Sequence, residues 1–317
     1  MGNKIPPLVC NQKLAIVIPY FKIDHFEKTL QSLAGQKDKR FNVYIGDDAS
    51  QNLPEQLIEL YSNEVKIQYL RFKTNLGATS LTSHWARCLE LVQNESWVLM
   101  LGDDDTLDSY CILEFYKNLD KIHNNKINVV RFASRIIDER EEVISKKYKH
   151  PELEKVTDFF VRKAKGTTRS SLSEYIFRKK TLLDKGFQDF PLAWHSDDAL
   201  LFEISNFGMI YTINEATVNF RHSTKNLTQK RDNLKEKAFA SWSYYRFLME
   251  RLEYFSKSEK KLVYEHYERA FLNNKRNWGA WSFTFQHYIK HFRLIRLYNL
   301  LIRAIENLIS NYRKNNH

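Results

Sequence analysis

Residues 98–107 read VLMLGDDDTL: an apolar run, a glycine, then Asp103, Asp104 and Asp105 in succession. The run has the character of a strand buried on both faces. Three adjacent carboxylates at its end repel one another, and beside a buried strand the dielectric that screens them is low. A helix cap does not account for them. Asp108 stands at the N-cap position of the SYCILEFYKNL segment that follows, with Thr106 behind it. A hard divalent cation does account for them: Mg²⁺ or Mn²⁺ takes oxygen ligands and commonly binds through one or two carboxylates plus substrate phosphates.

Upstream, strand-like and helix-like segments alternate. LAIVI (14–18), FNVYIG (41–46), KIQYLRF (66–72) and WVLML (97–101) read as strands. Between them, HFEKTLQSLAGQ carries Phe26, Leu30 and Leu33 at helical spacing, with Gly35 as its stop. PEQLIELYS (54–62) opens with proline at a first-turn position, and SLTSHWARCLELVQ (80–93) completes the set. This alternation predicts an α/β fold with a Rossmann-like, mainly parallel sheet flanked by helices. Ligands of such sheets bind beyond the carboxyl ends of the strands. IPYF, DDAS and GDDD all fall at those ends.

Further along, NVVRFAS (128–134) reads as a strand, while 135–169 is charged and carries no pattern. ALLFEISNFG (199–208) is a helix stopped by glycine, YTINEATVNFRH (211–222) a strand, and everything from Lys235 is helical. A boundary near residue 225 separates a catalytic domain, 1–225, from a C-terminal helical region, 226–317.

Two other acidic segments stand out. In IGDDASQN (45–52) the acids either form an Asx-turn into the next helix or offer a carboxylate to a base N–H. In WHSDDALLFEISNFG (194–208), Ser196 can cap a helix whose first-turn acids favour the macrodipole, or an acid can serve as a general base. For 45–52 the motif alone reads as an Asx-turn, and its place at the end of the second strand turns the reading toward a base contact; for 194–208 spacing alone does not decide.

The formal net charge of +11 points to an anionic partner. The three cysteines, Cys10, Cys88 and Cys111, have no paired spacing, so a zinc knuckle or disulfide framework is not expected. MGNKIPPLVCNQKL lacks a signal-peptide core, Pro6 breaks the myristoylation pattern, and no apolar run approaches the roughly 18 to 20 residues that cross a bilayer. A cytoplasmic protein is expected.

In order along the chain, Pro19-Tyr20-Phe21-Lys22, Asp47-Asp48-Ala49-Ser50, Asn75-Leu76-Gly77, Gly102-Asp103-Asp104-Asp105 and Asp197-Asp198 resemble the five motifs of the family 2 glycosyltransferases, which have the GT-A fold. The match is best over 14–107 and extends to about residue 210. The resemblance implies that Pro19, Tyr20 and Phe21 line the nucleotide pocket, with Phe21 against the base, and that Asn75 contributes to it. It implies that Asp48 holds the uracil of a UDP-sugar, Asp47 supports the turn, and Asp104 sits near the ribose and diphosphate. Asp105, with Asp103, would coordinate Mn²⁺ or Mg²⁺, and His222 would reach the metal or the diphosphate. Asp198 would be the base of an inverting transfer to an acceptor hydroxyl, with Asp197 beside it. Without metal and nucleotide, one acid of the triplet is expected to be partly protonated or displaced.

The chain departs from the family pattern in places. Gly102 replaces the first acid of the fourth motif, so an Asp-x-Asp pair here is Asp103 and Asp105. Ala49 replaces a glycine, so that turn must avoid positive φ. Asp197 replaces a glutamate. The absence of a Gln-x-x-Arg-Trp motif and of membrane spans argues for single sugar additions. The resemblance, with the basic tail, implies a glycan or lipid-linked glycan acceptor, as in capsule or lipopolysaccharide assembly. The alternatives are a sugar nucleotidyltransferase, which needs a glycine-rich loop that IPYFKIDHF lacks, and an inactive nucleotide- or glycan-binding homologue. No nucleic-acid module is present.

In the tail, Ile289, Phe292, Ile295, Leu301, Ile305, Leu308 and Tyr312 form a helical stripe. Lys290, Arg293, Arg296, Arg303, Arg313 and Lys314 accompany it against a single Glu306. Such a helix packs on the protein or makes peripheral contact with an anionic membrane surface.

Overall fold

The structure, a computed structural model, describes residues 13–223 and 232–315, with side chains as far as residue 307. The readings for Cys10, the N-terminal segment and the side chains of Leu308, Tyr312, Arg313 and Lys314 lie outside the described residues. The chain divides into two units: Met1–Asp189 with Ser196–Lys230, and Phe190–His195 with Arg231–His317.

The first unit opens as the apolar runs require. Strands β1 (Leu14–Tyr20), β2 (Phe41–Asp47), β3 (Ile67–Arg71) and β4 (Trp97–Met100) alternate with helices α1 (Phe26–Ala34), α2 (Glu55–Tyr61) and α3 (Leu81–Leu89). All pairings among these strands are parallel, with β1 between β2 and β4. Helices can then cover both faces, so the strand side chains are buried on both. Leu14, Ile16 and Ile18 on one face of β1, and Ala15 and Val17 on the other, are fully buried. Each large side chain so buried contributes roughly 1.5–3 kcal/mol. Helix α1 buries Phe26, Leu30 and Leu33 and ends at Gly35.

Past β4 the elements are β5 (Thr106–Leu107), α4 (Cys111–Lys117), α5 (Leu119–Asn124), β6 (Val129–Ile137), β7 (Leu153–Lys155), α6 (Val156–Ala164), β8 (Tyr175–Arg178), α7 (Lys179–Lys185), α8 (Ser196–Ile204) and β9 (Met209–Arg221). The strand order is β3-β2-β1-β4-β8-β6-β9-β5, with β7 also paired to β9. Here the sheet is mixed. β8 runs antiparallel to β4 and β6, while β9 is parallel to β6 and antiparallel to β5 and β7. The patternless stretch 135–169 resolves into the end of β6, β7 and α6.

The capping expectation after the acidic triplet is corrected. Helix α4 starts at Cys111, and Asp108 works from outside it, its Oδ1 accepting the Tyr110 N–H at 3.0 Å. Thr106 is a strand residue, paired with Asn219.

The second unit is helical: α9 (Leu234–Met249), α10 (Lys257–Asn273), α11 (Trp278–Lys290) and α12 (Leu294–Asn315). Ser256 and Glu259 form a capping box at the start of α10. The His195 ring stacks on Tyr244 of α9 at 4.6 Å. Of the tail stripe's two readings, packing on the protein is corrected: Leu297, Leu300 and Ala304 are the buried face of α12, whereas Ile289, Phe292, Ile295 and Ile305 are exposed.

Candidate active site

Three turns at the carboxyl ends of β1, β2 and β4 carry the predicted acids and aromatics. The strands are in register there: Tyr20 lies opposite Asp47, and the Asp48 N–H donates to the Tyr20 carbonyl at 3.0 Å. Tyr20 is buried against Phe26 and donates its hydroxyl to the Asn52 carbonyl at 2.7 Å. Phe21 is exposed and Pro19 half-buried.

The β2 turn is closed on itself. Asp47 is fully buried; its Oδ1 accepts the Ser50 N–H at 2.8 Å, and its Oδ2 takes the Tyr69 hydroxyl at 2.8 Å and Arg71 Nη1 at 2.7 Å. Asp48 Oδ1 accepts the Leu76 N–H at 2.8 Å and Arg87 Nη2, while Oδ2 accepts the Gly77 N–H at 2.8 Å. Gly77 has a steric reason: a Cβ there would lie 2.5 Å from Asp48 Oδ2. Asn75 is exposed and its Oδ1 accepts the Ala78 N–H at 2.9 Å. Buried beside Asp48, the His84 ring has its pKa lowered to about 4 by burial, despite the neighbouring carboxylate. One expectation fails here. Ala49 sits at φ 55, in the left-handed region the turn was expected to avoid. The turn keeps its glycine-type geometry, and the alanine bears the strain.

The β4 turn treats its three acids differently. Asp103 points back to β1, its Oδ2 accepting the N–H groups of Phe21 at 2.8 Å and Lys22 at 2.7 Å. Asp105 is buried; Oδ1 accepts the Arg221 N–H at 2.8 Å and Oδ2 the Ser173 hydroxyl, which in turn accepts the Gly102 N–H at 3.0 Å. Asp104 is half-buried, and among the described residues its carboxylate takes no hydrogen bond from another residue. Burial, and then the Asp104 charge, push Asp103 up to about 6 and Asp105 up to about 7. Burial also raises Asp104, opposed by Lys22, Arg221 and His25.

Arg221 organises the far side. Its Nε donates to the Asp104 carbonyl at 2.8 Å and its Nη1 to the Asp138 carbonyl at 2.9 Å, while Nη2 faces Glu141 at 3.3 Å. His222 follows it, exposed, with its N–H on the Ile137 carbonyl at 2.8 Å.

The third acidic segment opens α8. Asp197 is half-buried and its Oδ1 accepts the Asp198 N–H at 2.9 Å. Asp198 is buried and ion-paired with Lys163 of α6. Burial works against the Lys163 ammonium, but Asp198 and Asp197 outweigh it and hold its pKa above the usual value. Glu174 also acts on Lys163 and neighbours Ser173, the residue bonded to Asp105.

Among the described residues no three His, Cys, Asp or Glu side chains converge as a metal cage. The donor set still fits an ion that arrives with its phosphates. One carboxylate is open, and two anchored ones are held short of full ionisation by burial and like charge, so a divalent cation relieves the site. Sequence reasoning missed Lys163, Ser173 and Arg221. Each lies outside the acidic motifs, and only the fold brings it to them.

Residues 15–184, more than half of the chain, match the family profile described as Glycosyl transferase family 2. No curated protein matches the sequence. Among solved structures, S. aureus TarS 1-349 in complex with UDP-GlcNAc superposes with a TM-score of 0.58 at 15% identity, covering 83% of this chain and 81% of that one. S. aureus TarS gives 0.57 at 15% identity over 82% of this chain and 44% of that one. GalNAc-T7 with UDP, GalNAc and Mn²⁺ gives 0.51 at 10% identity, over 80% and 54%. At these identities the likeness is one of fold, and it agrees with the expected GT-A architecture.

Proposed function

The chain belongs to glycosyl transferase family 2, and from that premise we propose that it moves a single sugar, with inversion, from a UDP-sugar to an acceptor hydroxyl on a glycan or lipid-linked glycan. The observation that carries this reading is the asymmetry of the acidic triplet: Asp103 and Asp105 are anchored by protein donors while Asp104 is left open. Asp104 offers the open carboxylate for a metal contact, and Asp105 and Asp103, each with acceptor sites beyond its two protein donors, remain candidate ligands with His222. A Mg²⁺ or Mn²⁺ ion held there would stabilise charge on the leaving diphosphate. UDP as the donor nucleotide is supported by the ligands named for TarS and GalNAc-T7.

The protein's own groups have separate tasks. The exposed Phe21 ring offers a face to the base, beside Pro19, Tyr20 and Asn75. An ionised carboxylate has about four acceptor sites. Asp48 already fills three with Leu76, Gly77 and Arg87, which leaves it one for a uracil N–H. Asp47 braces this turn. Asp198 accepts the proton of the acceptor hydroxyl as that oxygen attacks the anomeric carbon, and the diphosphate departs from the opposite face. Lys163 pairs with Asp198 and orients it, with Asp197 fixing the first turn of α8.

Calorimetric titration of UDP with Mn²⁺ and then with EDTA, alongside a UDP-sugar turnover screen, tests this. Binding is expected only with metal. Asp198→Asn is expected to keep UDP binding and lose about 10² to 10⁴ in turnover. UDP binding unchanged by EDTA, or a fully active Asp198→Asn, overturns the assignment.

A further inference from the structure

The second unit gathers cations. Between α10 and α12 lies an open groove of about 1310 Å³. It is lined by Lys257, Lys260, Lys261, Arg293, Arg296 and Arg303 against one carboxylate, Glu268. That carboxylate is already shared by Arg296 and by Arg303, the latter at 3.0 Å. Lys261 reaches Glu265 at 4.0 Å. Among the described residues Lys257, Lys260 and Arg293 have no acidic partner within ion-pair distance. Six cations around one spent carboxylate form a site for several phosphates.

The edge of the groove is apolar and uncovered. Phe292 is 88% exposed and Ile295 81%, with Leu294 between α11 and Ile295 at 57%. Tyr298, Ile302 and Ile305 continue the exposed face along α12. Phe292 also holds φ 53, a left-handed conformation that a bulky residue seldom adopts, at the break that turns α11 into α12. An apolar patch this continuous on a surface marks an interaction site.

We propose that this face docks on an anionic phospholipid surface, the cations taking headgroup phosphates and the Phe292–Ile295 edge entering the acyl boundary. Charge selects this occupant over a second copy of the chain, since pairing the face with itself would set two cationic grooves together. Chemistry selects it over nucleic acid. The exposed face carries two rings, Phe292 and Tyr298, but is mostly aliphatic (Leu294, Ile295, Ile302 and Ile305), and aliphatic side chains beside Lys and Arg suit the lipid interface rather than base stacking. The contact is peripheral, because no helix among the described residues is long and apolar enough to cross a membrane. The inference does not rest on the transferase reading, and its test uses no nucleotide sugar.

The test is co-sedimentation of the full chain with phosphatidylcholine vesicles, with and without phosphatidylglycerol. Partitioning at least about tenfold stronger to the anionic vesicles, weakened by salt, is expected. Lys257→Glu with Arg293→Glu should remove the preference for anionic lipid. Phe292→Ser with Ile295→Ser should weaken binding to both vesicle types, with helical content by circular dichroism unchanged. Soluble glycerol phosphate should compete poorly, since it lacks the acyl boundary. Equal binding to neutral vesicles, full competition by glycerol phosphate, or tighter binding to a random oligonucleotide overturns the proposal. So does a dimer by light scattering that the Phe292/Ile295 variant dissolves while vesicle binding persists.

Discussion

The turns after β2 and β4 are both rich in aspartate, yet they are built on opposite electrostatic plans. After β2 each carboxylate meets a guanidinium: Asp47 meets Arg71 and Asp48 meets Arg87. After β4, among the described residues, no Lys or Arg comes within ion-pair distance of Asp103, Asp104 or Asp105. Backbone N–H groups and one serine hold two of them. The nearby Arg221 guanidinium spends two of its bonds on the carbonyls of Asp104 and Asp138. A turn whose charges are matched internally works as a brace. A turn left short of positive charge is finished by what binds to it.

The sharpest way to break this contrast is to remove one acid from each side. Asp47→Ala is expected to cost about 3 kcal/mol, because it strands the Tyr69 hydroxyl, the Ser50 N–H and the Arg71 charge, and thermal denaturation would read the loss. Asp104→Asn should leave the melting temperature unchanged or raise it, since it removes one of three crowded charges. Its effect should fall on metal-dependent UDP binding, weakened at least about tenfold, or about 1.4 kcal/mol, by calorimetry.

Acid sharpens the comparison from the β2 side. The His84 pKa is lowered to about 4 in the folded protein, below the roughly 6.5 of an unfolded histidine. Neutral His84 therefore contributes stability that is fully present above pH 6.5 and is lost as pH falls toward 4. A decline on the order of 1 kcal/mol by pH 5 is expected, and His84→Gln should flatten it in a pH series of melting curves. The smallest effect lies at Ala49, where glycine should relieve the left-handed strain and gain about 1 kcal/mol.

These turns could be placed from sequence because their signals are local. Alternating apolar runs put IPYF, DDAS and GDDD at strand ends, and the parallel core follows from that alternation. What each acid does there is not a local property. Asp105 takes its donors from residues 173 and 221, and Asp198 takes its cation from residue 163, inside the charged stretch that has no periodicity. Ala49 shows the limit of side-chain rules, since the surrounding hydrogen bonds impose a backbone that its own preference opposes. In the tail, periodicity found helices but not the break between α11 and α12, which reverses which residues are covered.

The bond from the Arg221 N–H to Asp105 joins positions 116 apart, and β9, which ends at Arg221, pairs with β5, β6 and β7. Closing so long a span is slow compared with local pairing. During synthesis the acidic turn is made well before the strand that anchors it, so Asp105 cannot take up its bond until β9 has been made. The family match stops at residue 184. A chain ended there would keep every residue of that match and lack the strand on which Asp105 closes.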